Sequence, residues 1–228
     1  AGTTNKLLSN IASRVLEAFP GALPRGEWVG NPVRREIAAL PLSQQVNDRP
    51  LQLLVLGGSL GALAINQQVP AALALLAQSA RPQVRHQCGK AHQTVTEKAY
   101  SDVGVEVSIE PFIADMAEAY GWADMVICRA GALTVAELTA AGVGALLVPY
   151  PHAIDDHQTK NGEWLVGQGA ALLIQQSDLT PEKLAALISE WSGDRNNLQS
   201  MAVNARQMAK VGVAESVADV CMEVCHEH

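Results

Sequence analysis

The chain has 228 residues, of which 48% are hydrophobic and 17% charged, the profile of a folded protein with room for one sizeable core, or one full domain carrying a piece of another, but not for two complete large domains. Its formal net charge of -7 and the lack of a basic stripe argue against nonspecific nucleic-acid binding, while a nucleotide needs only a few local donors. The longest apolar run, residues 69–77, falls far short of a membrane-crossing helix, and the four cysteines, Cys88, Cys128, Cys221 and Cys225, are too few and scattered for a disulfide scaffold, so a reducing cytoplasm is the simplest reading.

The chain opens Ala1-Gly2-Thr3-Thr4-Asn5 without a start Met or a signal-peptide pattern, and is expected to begin inside a longer protein. A helix is predicted over 6–19, then a Pro/Gly turn region leading to Gly30-Asn31-Pro32-Val33-Arg34. Proline-containing polar sequence over 41–50 reads as a linker, so a domain boundary is placed near residues 30 to 50. Strand and helix patterns then alternate, as in βα units stacked into a mostly parallel sheet, which makes the fold class α/β. Strands are expected at 51–56, 105–109, 125–128 and 145–148, and helices at 62–78, 113–120, 134–141 and 158–168. Most of these strands are short and apolar throughout, as strands covered on both faces are; 105–109 alternates and belongs nearer an edge. Thr180-Pro181 reads as an N-cap and first-turn proline opening a helix to about Trp191. Residues 214–225 read as a closing amphipathic helix.

Two βα turns carry the chemistry. The first, Gly57-Gly58-Ser59-Leu60-Gly61-Ala62, follows an apolar strand and opens a helix, where glycines admit close backbone approach and free amides attract phosphate oxygens. The second, Arg129-Ala130-Gly131-Ala132-Leu133-Thr134, has Glu137 one turn into its helix, placed to favour the helix dipole or to accept from a ribose diol. Each has a plain alternative: glycines for tight packing, and a carboxylate for capping. Two such turns in one sheet favour a shared nucleotide-diphosphate cleft beyond the carboxyl ends of the strands. A third polar cluster, residues 152–158, follows the strand ending at Val148; Gln158 there offers both donor and acceptor to substrate hydroxyls, or the cluster simply caps the next helix.

Several other classes fit less well. No Asp or Glu lies between Asp48 and Glu97, so the acid that holds the adenosine ribose in a dinucleotide oxidoreductase is missing, and no Gly-Lys-Ser/Thr completes a P-loop. Gly57-Gly58-Ser59-Leu60-Gly61 also fits the nucleophile elbow of an α/β-hydrolase with Ser59 attacking. Against that, Asp155, Asp156 and His157 are contiguous, whereas a triad's acid and base arrive on separate loops. Cys221, Cys225, His226 and His228 crowd the C-terminus, but their spacing matches no familiar zinc site. No metal and no cofactor are expected.

Taken in order across nearly the whole chain, Asn31-Pro32-Val33-Arg34, the turn at 57–62, Pro111-Phe112-Ile113 with Met116, the turn at 129–134 through Glu137, and Asp156-His157-Gln158 resemble the carboxyl-terminal domain of the MurG family of N-acetylglucosaminyltransferases. The resemblance implies a GT-B fold, two Rossmann-like domains facing across a cleft, with the N-terminal domain mostly missing here. It divides the chain into a tail of the N-terminal, acceptor domain (1–33), a Rossmann-like UDP-sugar-binding domain (34–213) and a C-terminal helix (214–228) that crosses back. It assigns Arg34, Ser59 and the Ala132, Leu133 and Thr134 turn to the diphosphate, counts Gly58 among the substrate-binding residues, and assigns Ile113 backbone groups to the uracil, Glu137 to the ribose and Gln158 to the sugar hydroxyls. It implies transfer of N-acetylglucosamine from UDP-N-acetylglucosamine to the muramoyl C4 hydroxyl of undecaprenyl-linked lipid I. It places the catalytic base in the absent domain, needs no metal, and has the full-length enzyme touching the cytoplasmic face of the bacterial inner membrane peripherally. Leu60 stands where the family often has Gln. A 2-epimerase of similar architecture acting on the same donor is the alternative, and by this reading the chain alone binds donor without efficient turnover.

Overall fold

The computed structural model describes residues 2–42, 48–58, 61–153 and 156–226. Among them, six strands form one parallel sheet: β3 (Gln52–Leu56), β4 (Gln83–Gln87), β5 (Ser108–Glu110), β6 (Met125–Cys128), β7 (Gly144–Leu147) and β8 (Ala171–Leu173), in the order β5-β4-β3-β6-β7-β8. The chain winds outward from β3 to one edge, returns to the middle at β6 and winds out to the other edge. Every neighbouring pair is parallel, with Leu56 level with Gln87 on one side and Cys128 on the other. The reversal of direction between β3 and β6 leaves a crevice at their carboxyl ends, where ligands settle in doubly wound sheets.

The side-chain period of two along β3 builds both cores at once. Leu53 and Val55 face one layer with Ile65, Val69, Leu73, Leu184, Ile188 and Trp191. Leu54 and Leu56 face the other, with Ile37, Tyr120, Val126, Val135, Leu138 and Leu165. The first layer is made by α3 (Leu63–Ala74), α4 (Gln93–Asp102) and α8 (Pro181–Gly193), the second by α5 (Met116–Trp122), α6 (Ala132–Ala141) and α7 (His157–Val166), and α9 (Asn196–Gln207) contributes to both, with Leu198 and Met201 in the first and Ala205 in the second. Thr180 caps α8 as expected, its hydroxyl accepting from Lys183 N. The predicted strands at 51–56, 125–128 and 145–148 stand within a residue of the observed ones, and the alternating segment near 105–109 contributes the edge strand β5, displaced toward Glu110.

One expectation fails outright. The helix predicted over 6–19 is only α1 (Thr3–Leu8). The Ser9 hydroxyl and the Asn10 amide both turn back to Lys6 O, at 2.8 and 3.0 Å, the local competition that ends helices. Beyond it, β1 (Leu16–Glu17) pairs in parallel with β2 (Glu27–Trp28). The Glu17 carboxylate accepts from Gly21 N at 2.7 Å and Leu23 N at 2.9 Å, closing the turn between the two strands. After them comes α2 (Arg35–Ala38), a single turn.

Residues 16–33 lie against the sheet domain. Trp164 of α7 meets Phe19 and Trp28 edge-on, with centroids 5.1 and 6.1 Å apart, and the Lys210 ammonium sits 3.6 Å from the centre of the Trp28 ring. The closing helix α10 (Val213–His226) buries Val213 and half-buries Val217, Val220 and Val224 along one stripe. Arg14 ties it to the N-terminal segment through Glu223 at 3.1 Å, while also holding Glu27. No described helix is long and apolar enough to cross a membrane.

Candidate functional site

The crevice between β3 and β6 is floored by the two turns singled out in the sequence. After β6, Gly131 is the extended N-cap of α6, and the first helical hydrogen bond is Val135 N to Gly131 O at 2.9 Å. The amides of Ala132, Leu133 and Thr134 therefore have no acceptor within the helix, and the N-cap makes no side-chain bond to them. Together with the positive end of the helix dipole, they make this the position at the crevice most favourable to an anion. The turn is held from behind. Asn161 of α7 donates to Ala130 O at 3.0 Å, and Asn31 donates to Ala132 O at 3.2 Å. Neighbouring Arg129 faces away, donating to Val148 O and Pro149 O at 3.0 Å and to Gln176 Oε1 at 2.6 Å, with Tyr150 beneath its guanidinium. It bolts the ends of β6 and β7 together, and burial lowers its pKa.

Glu137 follows one turn into α6, partly buried. Its Oε1 lies 3.1 Å from the Arg34 guanidinium, and its Oε2 accepts from the Tyr120 hydroxyl at 3.1 Å. Arg34 is half-exposed at the start of α2 and borders an open cavity of about 450 Å³ with Ile37, Ala114, Asp115 and Met116. Asp115 caps α5 by accepting from Glu118 N at 2.8 Å. Ile113, just before it, has its side chain in the core, so it offers a ligand only its backbone.

The turn after β3 is pinned at its first residue, where Gly57 N donates to Gln87 O at 2.8 Å. Gly58, at φ +74°, has open space on its Cβ side; Gly61, at φ +77°, has none, because a Cβ would meet the His92 ring at 2.3 Å and Cys88 O at 2.6 Å. Ser59, expected to contact the diphosphate, and Leu60 lie outside the described residues, as do Asp155 and His228. The side-chain oxygen of Gln158 accepts from Tyr150 N at 3.0 Å, so this residue closes the loop between β7 and α7. Asp156 enters α7 in the left-handed region at φ 51° and accepts from Thr159 Oγ1.

The structure thus brings Arg34, Ile113, Glu137 and the 132–134 amides around one crevice, with Gly58 on the neighbouring turn. Sequence reasoning did not single out Tyr120 or Asn161. Tyr120 stood there only as the last residue of the helix predicted over 113–120. Asn161 lies three residues after Gln158, so the same helix face was the available signal. Among the described residues, no three His, Cys, Asp or Glu side chains converge on a metal position.

Sheet order and switch point define a Rossmann-like α/β domain, with a bare helix N-terminus at its crevice. Residues 52–219 match the model of the glycosyltransferase family 28 C-terminal domain, and the chain belongs to that family. A protein from Marinobacter nauticus is 50% identical over 99% of this chain and 64% of its own length. One from Nitrosococcus oceani is 53% identical over 98% of this chain, again 64% of its own length. Both are named UDP-N-acetylglucosamine--N-acetylmuramyl-(pentapeptide) pyrophosphoryl-undecaprenol N-acetylglucosamine transferase. The chain spans under two thirds of these curated relatives. The crystal structure of Acinetobacter baumannii MurG superposes with a TM-score of 0.80 at 42% identity, over 98% of this chain and 64% of that one. A putative UDP-N-acetylglucosamine 2-epimerase from Listeria monocytogenes, 16% identical over 84% of this chain and 52% of its own, has a TM-score of 0.58, a likeness of fold alone. The hydrolase alternative is displaced by the glycosyltransferase match across the body of the chain.

Proposed function

We propose that this chain is the donor-binding part of an inverting hexosyltransferase that moves N-acetylglucosamine from UDP-N-acetylglucosamine to the muramoyl C4 hydroxyl of undecaprenyl-linked lipid I, making lipid II for peptidoglycan. The observation that carries the reading is the constellation at α6: free amides at 132–134, with Glu137 one turn inside and Arg34 against it. A diphosphate settles on the amides and Arg34, the ribose diol on Glu137, the uracil on the backbone at Ile113, and the sugar toward Gln158 and the 57–61 turn. Ser59 is assigned a hydroxyl donor's part on the diphosphate.

In the reaction the acceptor oxygen forms a bond to the anomeric carbon as the bond from that carbon to the diphosphate breaks, and UDP leaves with the electron pair. Charge grows on the β-phosphate as the bond lengthens. Helix amides and the Arg34 guanidinium, fixed before the reaction, stabilise that charge more than they stabilise the ground state. A metal is not needed for this. The proton of the acceptor hydroxyl goes to a base assigned to the part of the relatives that this chain does not span, as is the lipid acceptor's site. Donor binding without efficient turnover is therefore expected of the chain alone. Peripheral contact with the cytoplasmic face of the inner membrane belongs to the same proposal.

Titration calorimetry tests it, with UDP-N-acetylglucosamine, UDP-glucose and NAD added to the chain without metal. Saturable binding of the UDP-sugars, weakened about tenfold or more in both Arg34→Ala and Glu137→Ala, is the expected result. Binding of NAD in preference, or UDP-sugar affinity unchanged in both variants, overturns it. Rapid transfer to a lipid acceptor by the chain alone would overturn the placing of the base.

A further inference from the structure

Glu137 is held on two sides. Tyr120 comes from α5, with only 2% of its surface exposed, and directs its hydroxyl to Glu137 Oε2 at 3.1 Å. Arg34 lies 3.1 Å from Oε1. Burial, and then the neighbouring carboxylate, raise the tyrosine pKa well above its usual value, so the phenol stays protonated and serves as a donor to Glu137. The two partners differ in kind. Arg34 is half-exposed at the start of α2, beside the open cavity; Tyr120 is buried in the core, in the same cluster as Leu138 and Val126.

We infer that Tyr120 is a positioning residue for nucleoside recognition: its hydroxyl fixes the rotamer of Glu137, so that the carboxylate presents Oε1 and its outward lone pairs to a vicinal ribose diol. The inference rests on the proposal that Glu137 holds the ribose. A carboxylate on a helix surface samples several rotamers, and ordering it on binding costs affinity. The buried phenol removes that cost in advance. It also gives the carboxylate a second donor beside Arg34, so that when the guanidinium engages a diphosphate, Glu137 still has a donor on its inner oxygen. The site then rewards a ligand that supplies both a diphosphate and two hydroxyls. Ligands with only one of these meet either an unpaired carboxylate or an unpaired guanidinium.

The test compares UDP with 2′,3′-dideoxyuridine diphosphate by calorimetry on the wild-type chain, Tyr120→Phe, Glu137→Ala and the double variant. The wild type is expected to favour UDP by about tenfold or more. Tyr120→Phe should lose a substantial part of that preference, with the dideoxy ligand bound as before, and should have no further effect when Glu137 is already alanine. A purely structural tyrosine would instead weaken both ligands together. If the wild type binds the two ligands equally, the ribose role of Glu137 falls, and this inference with it. If the wild type discriminates and Tyr120→Phe discriminates as strongly, the role of Glu137 stands and that of Tyr120 is overturned. Should Tyr120→Phe not fold, proton NMR of the wild type decides: the buried hydroxyl proton of Tyr120 should shift on saturation with UDP but not with the dideoxy ligand, and a signal indifferent to both overturns the inference.

Discussion

His86 shows how a single polar residue on a central strand can serve the site from beneath. It is fully buried, with Nε2 3.0 Å from Asn66 Oδ1 and Nδ1 2.8 Å from the Tyr100 hydroxyl. Asn66 gives its amide to Cys88 O at 2.9 Å, which fixes its orientation and makes its oxygen the acceptor of the His86 Nε2 proton; Tyr100 then donates to Nδ1. The ring is neutral, and burial pushes its pKa down to about 3 from the usual 6.5. An unfolded chain takes up a proton on this histidine below about pH 6.5 while the folded chain does not until about pH 3, so stability present above the upper value is lost progressively as pH falls through that window. The slope is about 1.4 kcal/mol per pH unit at its steepest. Urea unfolding of the wild type and His86→Gln from pH 7.5 to 4.5 checks this: the variant is less stable at pH 7.5, having lost the network, but declines less on acidification. Two curves running parallel across the window would mean that His86 is not held neutral. None of this was legible in the sequence, because a histidine between Arg85 and Gln87 reads as polar surface. Only the pairing of β4 between β3 and β5 puts it in the core.

At the scale of elements, legibility followed apolar content. Leu-Leu-Val-Leu in β3, Met-Val-Ile-Cys in β6 and Ala-Leu-Leu in β7 declare buried parallel strands. The Gln-Val-Arg-His-Gln of β4 does not, although it is as central, because its polar atoms are satisfied only in the folded network and by Arg85 pairing with Glu110 and Glu118. The three-residue edge strand β8 and the helices α4 and α9, both poor in apolar residues, escaped for a related reason. The turns were legible because glycine has few substitutes where φ is positive. They also separate two uses of glycine. Gly58→Ala adds a methyl into open space and costs about 1 kcal/mol of left-handed strain. Gly61→Ala adds the same strain and drives the methyl into a backbone carbonyl, so the turn itself must move. Thermal melts should therefore show Gly61→Ala several degrees below Gly58→Ala, and UDP affinity should fall in both, through displacement of the turn in Gly61→Ala and through crowding of the ligand in Gly58→Ala. Equal melting temperatures would show that the turn relaxes freely.

For the whole molecule, the site occupies one end of the sheet and the chain is fastened at the other. Asp124, fully buried just before β6, accepts from both guanidinium nitrogens of Arg49 at 2.6 and 2.8 Å, from Gln52 N at 2.9 Å, and from Arg195 at 3.4 Å; Arg195 in turn donates to Arg49 O at 2.6 Å. One carboxylate thus joins the segment entering β3, the start of β6 and the junction of α8 with α9. The sequence offered no hint of it, since its three charged members are 75 and 71 residues apart and each alone is an ordinary surface charge. Removing the carboxylate takes a charged partner from the nearly buried Arg195 and the partly exposed Arg49, and breaking a buried pair costs about 3–5 kcal/mol, a large share of the roughly 5–15 kcal/mol that holds a domain folded. Asp124→Ala should therefore unfold at markedly lower urea concentration than the wild type. Yet Asp124 lies at the amino ends of β3 and β6, whereas Arg34, Glu137 and the 132–134 amides gather at the carboxyl ends. Measured at a temperature where the variant is still folded, UDP affinity should equal that of the wild type. A fall in affinity there, with the far-UV spectrum unchanged, would mean that the clasp sets the spacing of β3 and β6 along their whole length, and that the two ends of the sheet are mechanically one.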